Sequence, residues 1–328
     1  MRLILDAKIR PETVDRLRAM GGLEVVDLSA DDGFDPRTLA DPEVEILIAG
    51  WPPDDLSRVP RLRWLQVPSA GVDHMASDPP WRTGILVTNA KGVYAVPIAE
   101  YVTGMVLRVN QPAARWSADQ AAHRWPDGTP ALVSLIRGRT AVVAGYGSIG
   151  REVARQLAAL GMRILAVKHR PGERMDTGYR VPGTGDPDGS IPERIVDEAA
   201  LAEVAGEADV LVVTMPLTDA SRGIVGREVL AALPPRAWLI NISRGPLVDE
   251  AALLDAVRGG RIAGAVLDVF GEEPLPPGSP WWDTPNIIVT PHASGHTLRF
   301  FDELVIENVR RYLARDPLLN PVDPERGY

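Results

Sequence analysis

Residues 140–150 read TAVVAGYGSIG, and this stretch carries the strongest structural signal in the chain. It joins an apolar strand to a glycine loop of the form GxGxxG, and the helical pattern REVARQLAAL follows at residues 151–160. That order of strand, loop and helix is the context in which the motif binds a dinucleotide. Gly145 permits the tight turn, Gly147 lets the backbone approach a pyrophosphate, and Gly150 allows close packing of the helix on the strand.

Strand-like and helix-like runs alternate on both sides of this motif. Such alternation predicts βαβ units and parallel sheets. We predict five strands in the first hundred residues, at 2–6, 23–28, 44–50, 62–67 and 84–89. We predict six more from the motif onward, at 140–145, 162–167, 208–215, 237–243, 262–270 and 286–291. The predicted fold class is therefore α/β, with two Rossmann-like, doubly wound parallel-sheet domains.

Three other segments determine the predicted domain organisation. A helical pattern over residues 96–116 connects the two halves, and Gly104 and Pro112 predict a bend or an end within it. Residues 171–192 are rich in Gly, Pro and Asp, which predicts a mobile surface loop. A last helix over residues 297–315 can return the C-terminus to the first domain. We therefore predict a discontinuous domain of residues 1–97 plus 297–328 and a dinucleotide-binding domain of residues 98–296.

The composition excludes several classes of protein. The 328 residues include 35 basic and 44 acidic side chains, so the formal net charge of −9 argues against nucleic acid as the main partner. No apolar run reaches the roughly 18 residues of a membrane span, and the apolar start at residues 3–5 is too short for a signal peptide. The chain has no cysteine, and its five histidines lack metal-binding spacing. We predict a cytoplasmic protein with no metal, membrane or nucleic-acid partner.

The residues after the second strand of the motif domain bear on the choice of dinucleotide. An NAD-binding domain usually places an acidic residue about 20 residues beyond the motif, where it binds the ribose 2′-hydroxyl. Here Lys168, His169 and Arg170 occupy that place. Three potential cations where a 2′-phosphate would lie predict NADP, and a solvated basic turn that accepts NAD is the alternative.

Three polar segments lie at the ends of later strands, where open parallel sheets bind their ligands. They are NISRG at 241–245, DVFGEEP at 268–274 and PHASG at 291–295. The guanidinium fork of Arg244 suits a carboxylate and a polarised ketone. His292 suits protonation of a developing alkoxide near neutral pH, and a carboxylate beside it would fix its tautomer. Together these side chains predict hydride transfer to a 2-keto acid.

Through these motifs the chain resembles the D-isomer-specific 2-hydroxyacid dehydrogenase family. The resemblance covers nearly the whole chain and rests on GYGSIG, NISRGPLVDEAAL, LDVFGEEPLP, PHASG and SAGVD (69–73). It implies an active site in the cleft between the two domains, with the discontinuous domain binding substrate. It implies that Arg244 binds substrate, that His292 donates the proton and that Glu273 is the partner of His292. It further implies a homodimer built through the cofactor domain, with residues 116–135 as the arm that crosses to the partner.

The same resemblance supplies the remaining site residues. The backbone amides of Ala70 and Gly71 would hold the substrate carboxylate, and Asp268 would contact the carboxamide side of nicotinamide. His296 is a less favoured proton donor than His292, because it lies past a glycine at the predicted start of the last helix. The predicted cofactor-binding residues are Gly145, Gly147, Ser148, Ile149, Gly150, Lys168, His169, Arg170, Met215, Pro216, Ile242, Ser243 and Asp268. The predicted substrate-binding residues are Ser69, Ala70, Gly71, Arg244 and His292.

The sequence therefore predicts an NAD(P)-dependent D-2-hydroxyacid dehydrogenase that reduces small 2-keto acids. Substrates of the glyoxylate, hydroxypyruvate and phenylpyruvate types all remain open. A second hypothesis is a dinucleotide-sensing binding protein, similar to the corepressor relatives of the family. The set of Arg244, Glu273 and His292 does not separate the two hypotheses, because such relatives retain it.

Overall fold

The computed structural model describes residues 1–125, 133–295 and 300–325. The chain divides into two compact units, each of which is described by itself. Apart from the gaps just named, the first unit comprises Met1–Tyr94, Gly178–Pro182 and His296–Tyr328, and the second comprises Ala95–Thr177 and Gly183–Gly295. Within the described ranges, no helix is both long and apolar enough to cross a membrane.

The strands of the described chain are short, at three to six residues each. They are β1 (Arg2–Asp6), β2 (Glu24–Asp27), β3 (Val44–Ala49), β4 (Trp64–Gln66), β5 (Leu86–Thr88), β6 (Thr140–Ala144), β7 (Arg163–Val167), β8 (Arg194–Val196), β9 (Val210–Val213), β10 (Trp238–Asn241), β11 (Gly264–Leu267) and β12 (Ile287–Val289). The helices are α1 (Pro11–Arg18), α2 (Ala95–Val109), α3 (Ala113–Ala121), α4 (Ser148–Ala159), α5 (Leu201–Ala205), α6 (Arg227–Ala232), α7 (Glu250–Arg258) and α8 (Phe301–Ala314).

The first unit is built on a five-stranded parallel sheet in the order β2-β1-β3-β4-β5, so the predicted number of strands is confirmed. Five of the six residues of β3 are buried, as a parallel sheet covered on both faces requires. Helices α1 and α8 cover one face, where Leu17, Leu304 and Val305 pack with Leu3 and Ile46 of the sheet. Both ends of the described chain therefore contribute to this core.

The second unit is built on a seven-stranded parallel sheet in the order β12-β11-β10-β9-β6-β7-β8. The prediction of six strands here was wrong, because Arg194–Val196 pairs with β7 as an additional edge strand. Residue 196 belongs to that strand and not to the predicted helix over 196–206, of which only Leu201–Ala205 is α-helical. A strand of three residues is too short to show a hydrophobic periodicity in the sequence, so only its pairing with β7 identifies it as a strand.

The order of the second sheet positions its ligand site. The chain proceeds from β6 to β7 on one side and then returns to β9 on the other side of β6. The loop after β6 therefore opens at the point where the strand order reverses, which is where open α/β sheets bind ligands. The predicted fold class, an α/β protein with two Rossmann-like parallel sheets, is confirmed.

The helical pattern predicted over residues 96–116 forms two helices. Helix α2 ends at Val109 and α3 begins at Ala113. Pro112 lies at the break, since proline lacks the N–H that would continue the helix. Helix α2 packs against α4, and the Thr103 hydroxyl donates to Gln156 Oε1 at 2.9 Å. This contact ties α2 to the helix that follows the glycine loop.

Candidate active site

The glycine loop between β6 and α4 shows why two of its glycines are required. Gly145 has a φ of +105°, and a Cβ there would lie 2.6 Å from the backbone nitrogen of Met215. A Cβ on Gly150 would lie 2.1 Å from the Gly145 carbonyl oxygen and 3.0 Å from the Val143 side chain. Side chains at either position would push the loop away from the sheet. These contacts agree with the roles predicted for Gly145 and Gly150.

Gly147 differs from the other two glycines, because a Cβ there would meet nothing within 4 Å. It is exposed at the N-terminus of α4, and Ser148 and Ile149 beside it are half-buried. The backbone amides of this first helical turn present partial positive charge to an incoming anion. The loop therefore offers open space, a close backbone approach and N–H donors, which fit the pyrophosphate of a dinucleotide.

The three predicted cations after β7 all contact groups of the protein. The Lys168 ammonium donates to the Glu173 carbonyl oxygen. His169 Nδ1 lies 3.1 Å from Glu198 Oε2, and Arg170 Nη1 donates to Glu173 Oε1 at 3.0 Å. The side chains of His169 and Arg170 are 64% and 49% exposed. The positive charge predicted from the sequence is present at the surface, and two carboxylates accompany it.

Glu173 and Glu198 were missed by the sequence analysis. Glu173 lies in the 171–192 segment, whose composition predicted only a loop. Glu198 follows β8. The first two residues of this strand were predicted as loop, and its last residue, Val196, was predicted as the start of a helix. Because β8 pairs with β7, the residues after both strands come to the same edge of the sheet. Two carboxylates from elsewhere in the chain therefore lie beside the cations that follow β7.

The 171–192 segment, predicted as a mobile surface loop, is attached to α4 by buried polar side chains. The Tyr146 hydroxyl donates to Asp186 Oδ2 at 2.5 Å, and the Arg151 guanidinium lies 4.8 Å from the centre of the Tyr146 ring. Arg151 also donates to the backbone carbonyls of Asp186 and Arg174. All three side chains of this cluster are at most 3% exposed, and burial raises the pKa of Tyr146. Because Tyr146 is part of GYGSIG, the segment supports the glycine loop itself.

Four predicted residues follow the C-terminal ends of β9 and β10, two neighbouring strands of the sheet. Met215 and Ile242 are buried, Pro216 is exposed, and the Ser243 hydroxyl donates to the Met215 carbonyl oxygen. Arg244 follows directly, and its Nη1 donates to the carbonyl oxygen of Ser243 at 2.9 Å. This bond holds Nη1 of Arg244 at the C-terminal end of β10.

Gly245 lets the turn that follows Arg244 pass close to the segment after β11. A Cβ there would lie 2.0 Å from the Phe270 carbonyl carbon, so only glycine fits. In the same segment, Phe270 N–H donates to Glu273 Oε1 at 2.8 Å. The close approach packs the turn after Arg244 against the segment that carries Glu273, although the sequence separates them.

His292 and Glu273 are brought together by the fold. His292 Nδ1 lies 2.8 Å from Glu273 Oε2, and the two side chains are 49% and 35% exposed. A carboxylate only accepts hydrogen bonds, so Nδ1 carries the proton and Nε2 is left for another partner. His292 and Glu273, which the family resemblance pairs, are therefore in hydrogen-bond contact in the structure.

His292 adopts a φ of +50°, which is unusual for a residue other than glycine. Its backbone N–H donates to the Asp268 carbonyl oxygen at 2.9 Å. The Asp268 carboxylate, which is fully buried, accepts the amides of Ala293 at 2.9 Å and Ser294 at 3.0 Å. Asp268 therefore holds the turn around His292 from both sides.

The predicted carboxylate loop lies in the first unit, directly after β4. The Ser69 hydroxyl donates to the Gly71 carbonyl oxygen at 2.7 Å, and the Ser69 carbonyl accepts the Ala90 amide at 2.8 Å. Within the described ranges, the amides of Ala70 and Gly71 donate to no other protein group. Two adjacent N–H donors on a fixed loop can bind a carboxylate.

Some predictions lie outside the described residues. They concern His296 and the part of the 116–135 arm at residues 126–132. Among the residues with described positions, there is no group of three His, Cys, Asp or Glu side chains that could hold a metal ion.

The comparisons with known proteins agree on one family. Its model, for the NAD binding domain of D-isomer specific 2-hydroxyacid dehydrogenases, matches residues 103–294. Glyoxylate reductase of Aeropyrum pernix is 33% identical over 259 residues, which is 74% of this chain and 70% of that protein.

Two solved structures extend the similarity over almost the full length. One is a D-isomer specific 2-hydroxyacid dehydrogenase from Xanthobacter autotrophicus Py2 in complex with NADPH and MES. It is 32% identical, has a TM-score of 0.79 and covers 99% of this chain and 100% of its own. The other is an NADPH-dependent glyoxylate/hydroxypyruvate reductase from Sinorhizobium meliloti in complex with NADP and sulfate. It is 28% identical, has a TM-score of 0.77 and covers 100% of this chain and 99% of its own.

Proposed function

The chain belongs to the D-isomer specific 2-hydroxyacid dehydrogenase family of NAD(P)-dependent enzymes, and on this premise we propose that it uses NADPH to reduce a small 2-keto acid to the D-2-hydroxy acid. The family and the enzyme class predicted from the sequence are thereby confirmed. The observation that carries the proposed reaction is the 2.8 Å contact of His292 Nδ1 with Glu273 Oε2, beside the turn that bears Arg244.

His292 acts as the proton donor in this proposal. Glu273 accepts the Nδ1 proton, which fixes the ring and its tautomer and stabilises the imidazolium form. The protonated Nε2 then gives its proton to the carbonyl oxygen of the substrate as negative charge develops there. Half of the His292 side chain is exposed, so a small substrate can reach it.

Arg244 binds the substrate and polarises its ketone. Its planar fork suits the adjacent oxygens of a 2-keto acid, and its charge opposes the charge that develops on the carbonyl oxygen. On the family resemblance, we assign the substrate carboxylate to the amides of Ala70 and Gly71, with Ser69 holding their loop. The Ser69 hydroxyl bond to Gly71 and the absence of protein acceptors for the two amides, among the described residues, support this assignment.

The cofactor, when bound, supplies the hydride. We assign its pyrophosphate to Gly147, Ser148 and Ile149, and its nicotinamide side to Asp268. The remaining predicted cofactor residues keep the roles assigned from the sequence: Gly145, Gly150, Met215, Pro216, Ile242 and Ser243. A preference for NADPH is supported by Lys168, His169 and Arg170 at the end of β7, and two solved relatives hold NADPH or NADP.

A turnover assay tests the proposal. Glyoxylate, hydroxypyruvate and phenylpyruvate are each supplied with NADPH and with NADH. The configuration of the glycerate and phenyllactate formed from the last two is determined by chiral chromatography, since glycolate is achiral. We expect at least one keto acid to be reduced, faster with NADPH, and any chiral product to be the D-isomer. Binding of NADPH without turnover of any keto acid would instead favour the dinucleotide-sensing hypothesis.

We further propose a homodimer in the cytoplasm. Exposed apolar side chains in and after α3 support an assembly through this region, namely Trp116, Trp125, Val133 and Leu135. The absence of cysteine agrees with a reducing compartment. Light scattering after size-exclusion chromatography tests the assembly, and cell fractionation tests the location.

A further inference from the structure

Three side chains of the second unit form a hydrogen-bonded chain that leads to the turn around His292. Tyr101, on α2, places its hydroxyl 2.7 Å from the Thr290 hydroxyl, although 189 residues separate the two in sequence. Thr290 follows β12, and its hydroxyl donates to Asp268 Oδ1 at 2.6 Å. The chain therefore connects a helix, the end of a strand and the fully buried Asp268.

The direction of these hydrogen bonds follows from the groups themselves. A carboxylate only accepts, so the single proton of the Thr290 hydroxyl goes to Asp268. Thr290 must then accept from Tyr101, whose hydroxyl is the donor. Burial is the main cause that raises the pKa of Tyr101, to about 12, so its phenol is a neutral donor at physiological pH. The Thr290 hydroxyl therefore accepts from Tyr101 and donates to Asp268.

The end of this chain is the turn that carries His292. Asp268 accepts the amides of Ala293 and Ser294, and its carbonyl accepts the amide of His292. A left-handed conformation at a residue other than glycine persists only when its surroundings hold it. The φ of +50° at His292 therefore depends on these bonds to Asp268. If the Asp268 carboxylate moves, the turn that it holds moves too, and with it the imidazole ring of His292.

We propose that Tyr101 is a positioning residue for His292, acting through Thr290 and Asp268. Its hydroxyl fixes the Thr290 hydroxyl, which fixes the Asp268 carboxylate that holds the turn. Tyr101 does not need to touch substrate or cofactor for this role. The catalytic part of the proposal rests on the proposed function, in which His292 donates the proton, whereas the structural part does not.

The test is a double-mutant cycle with the full-length enzyme. Tyr101→Phe removes only the hydroxyl, and we expect kcat for keto-acid reduction to fall about tenfold, the loss of one hydrogen bond. The Kd of NADPH, measured by fluorescence, should stay within about twofold, since one neutral bond outside the glycine loop is lost. Thr290→Val should cost more, and Thr290→Ser should recover most of the rate. Adding Tyr101→Phe to Thr290→Val should change little, because coupled residues are not additive.

A second readout is independent of turnover. Hydrogen exchange measured by mass spectrometry should be faster in Tyr101→Phe than in wild type for peptides that contain residues 292–294. Tyr312→Phe is the matched control, because its hydroxyl donates to Glu45 Oε1 at 3.0 Å in the first unit. The control should leave both kcat and exchange at residues 292–294 unchanged.

The outcomes separate the two proposals. Faster exchange together with reduced kcat and unchanged NADPH affinity supports the positioning role. Unchanged exchange at residues 292–294 in Tyr101→Phe overturns it, whatever the turnover. Faster exchange with wild-type kcat also overturns it, because the turn would then not limit His292. A wild-type enzyme that reduces no keto acid contradicts the proposed function, and the exchange result still decides whether Tyr101 orders the turn.

Discussion

Replacing Glu173 by glutamine tests how the charges after β7 select the cofactor. Arg170 Nη1 donates to Glu173 Oε1 at 3.0 Å, and the two side chains are 49% and 56% exposed. On the proposed function, in which Arg170 binds the 2′-phosphate of NADPH, the Glu173 carboxylate competes with that phosphate for Arg170 and repels the phosphate. We therefore expect Glu173→Gln to raise the ratio of kcat/KM for NADPH to that for NADH.

The size of the effect follows from the exposure of the pair. Exposed ion pairs contribute about 0.2–1 kcal/mol, because water screens the charges. Because about 1.4 kcal/mol corresponds to a tenfold change, releasing Arg170 from Glu173 should change the NADPH:NADH ratio of kcat/KM roughly 1.5-fold to 5-fold. The backbone of Glu173 is retained in the variant, so its carbonyl can still accept the Lys168 ammonium.

Steady-state kinetics with one keto acid and both cofactors measures the ratio. Glu193→Gln is the control, because Glu193 pairs with Arg163 at 2.9 Å with similar exposure, and Arg163 lies at the opposite end of β7. A further arm repeats the measurement in Arg170→Ala, where Glu173→Gln should have little effect. An unchanged or lower NADPH:NADH ratio in Glu173→Gln alone would refute the reasoning, as would an equal rise in the control.

Four other changes have expected outcomes. His292→Asn should lower kcat by about 10²–10⁴, the usual contribution of a general acid, with NADPH affinity in a fluorescence titration nearly unchanged; more than half of the wild-type turnover would exclude the acid role. Arg244→Ala should raise KM and lower kcat together, and Arg244→Lys should recover only part of each, because an ammonium lacks the bidentate fork; wild-type kinetics in both would make Arg244 a surface cation. Tyr146→Phe should raise the Kd of NADPH about tenfold, the loss of one buried hydrogen bond at the glycine loop, with the KM of the keto acid little changed; an unchanged Kd would contradict a supporting role for that bond. Hydrogen bonding to Arg310 lowers the pKa of Glu307 from 4.5 to about 2. A carboxyl group whose pKa is lowered in the folded state stabilises the fold at pH values above its unfolded pKa. Glu307→Gln should therefore lower the free energy of unfolding by about 1 kcal/mol at pH 7, after discounting for exposure. That cost should fade between pH 4.5 and about 2 in urea unfolding, and a pH-independent cost would contradict the assignment.

Local sequence was sufficient where a short stretch contained all the groups that interact. The packing of Gly150 against the Gly145 carbonyl oxygen is such a case, because the two residues are only five positions apart. The polar residues that follow strands could also be predicted from the sequence, because an apolar run that ends shortly before Arg244 or His292 marks the end of a strand. The sheet class followed as well, because alternating strands and helices have few ways to pack.

Tertiary structure decided the features that depend on which strands are neighbours. The three-residue strand β8 exists because β7 offers it an edge, and that pairing brings Glu198 to His169. The residues directly after β7 include no acid, and the positions of Glu173 and Glu198 beside the cations follow only from the fold.

The support of the turn around His292 could also not be predicted from the sequence. Tyr101 and Thr290 lie 189 residues apart, and a tyrosine within a helical pattern carries no sign of its partner. The sequence by itself therefore determined the class of fold and the residues that can carry the chemistry, because both follow from local patterns. Only the folded chain decided which hydroxyls and carboxylates hold those residues in place, because a hydrogen bond forms over about 3 Å between groups whose distance is set by the packing of whole helices and strands.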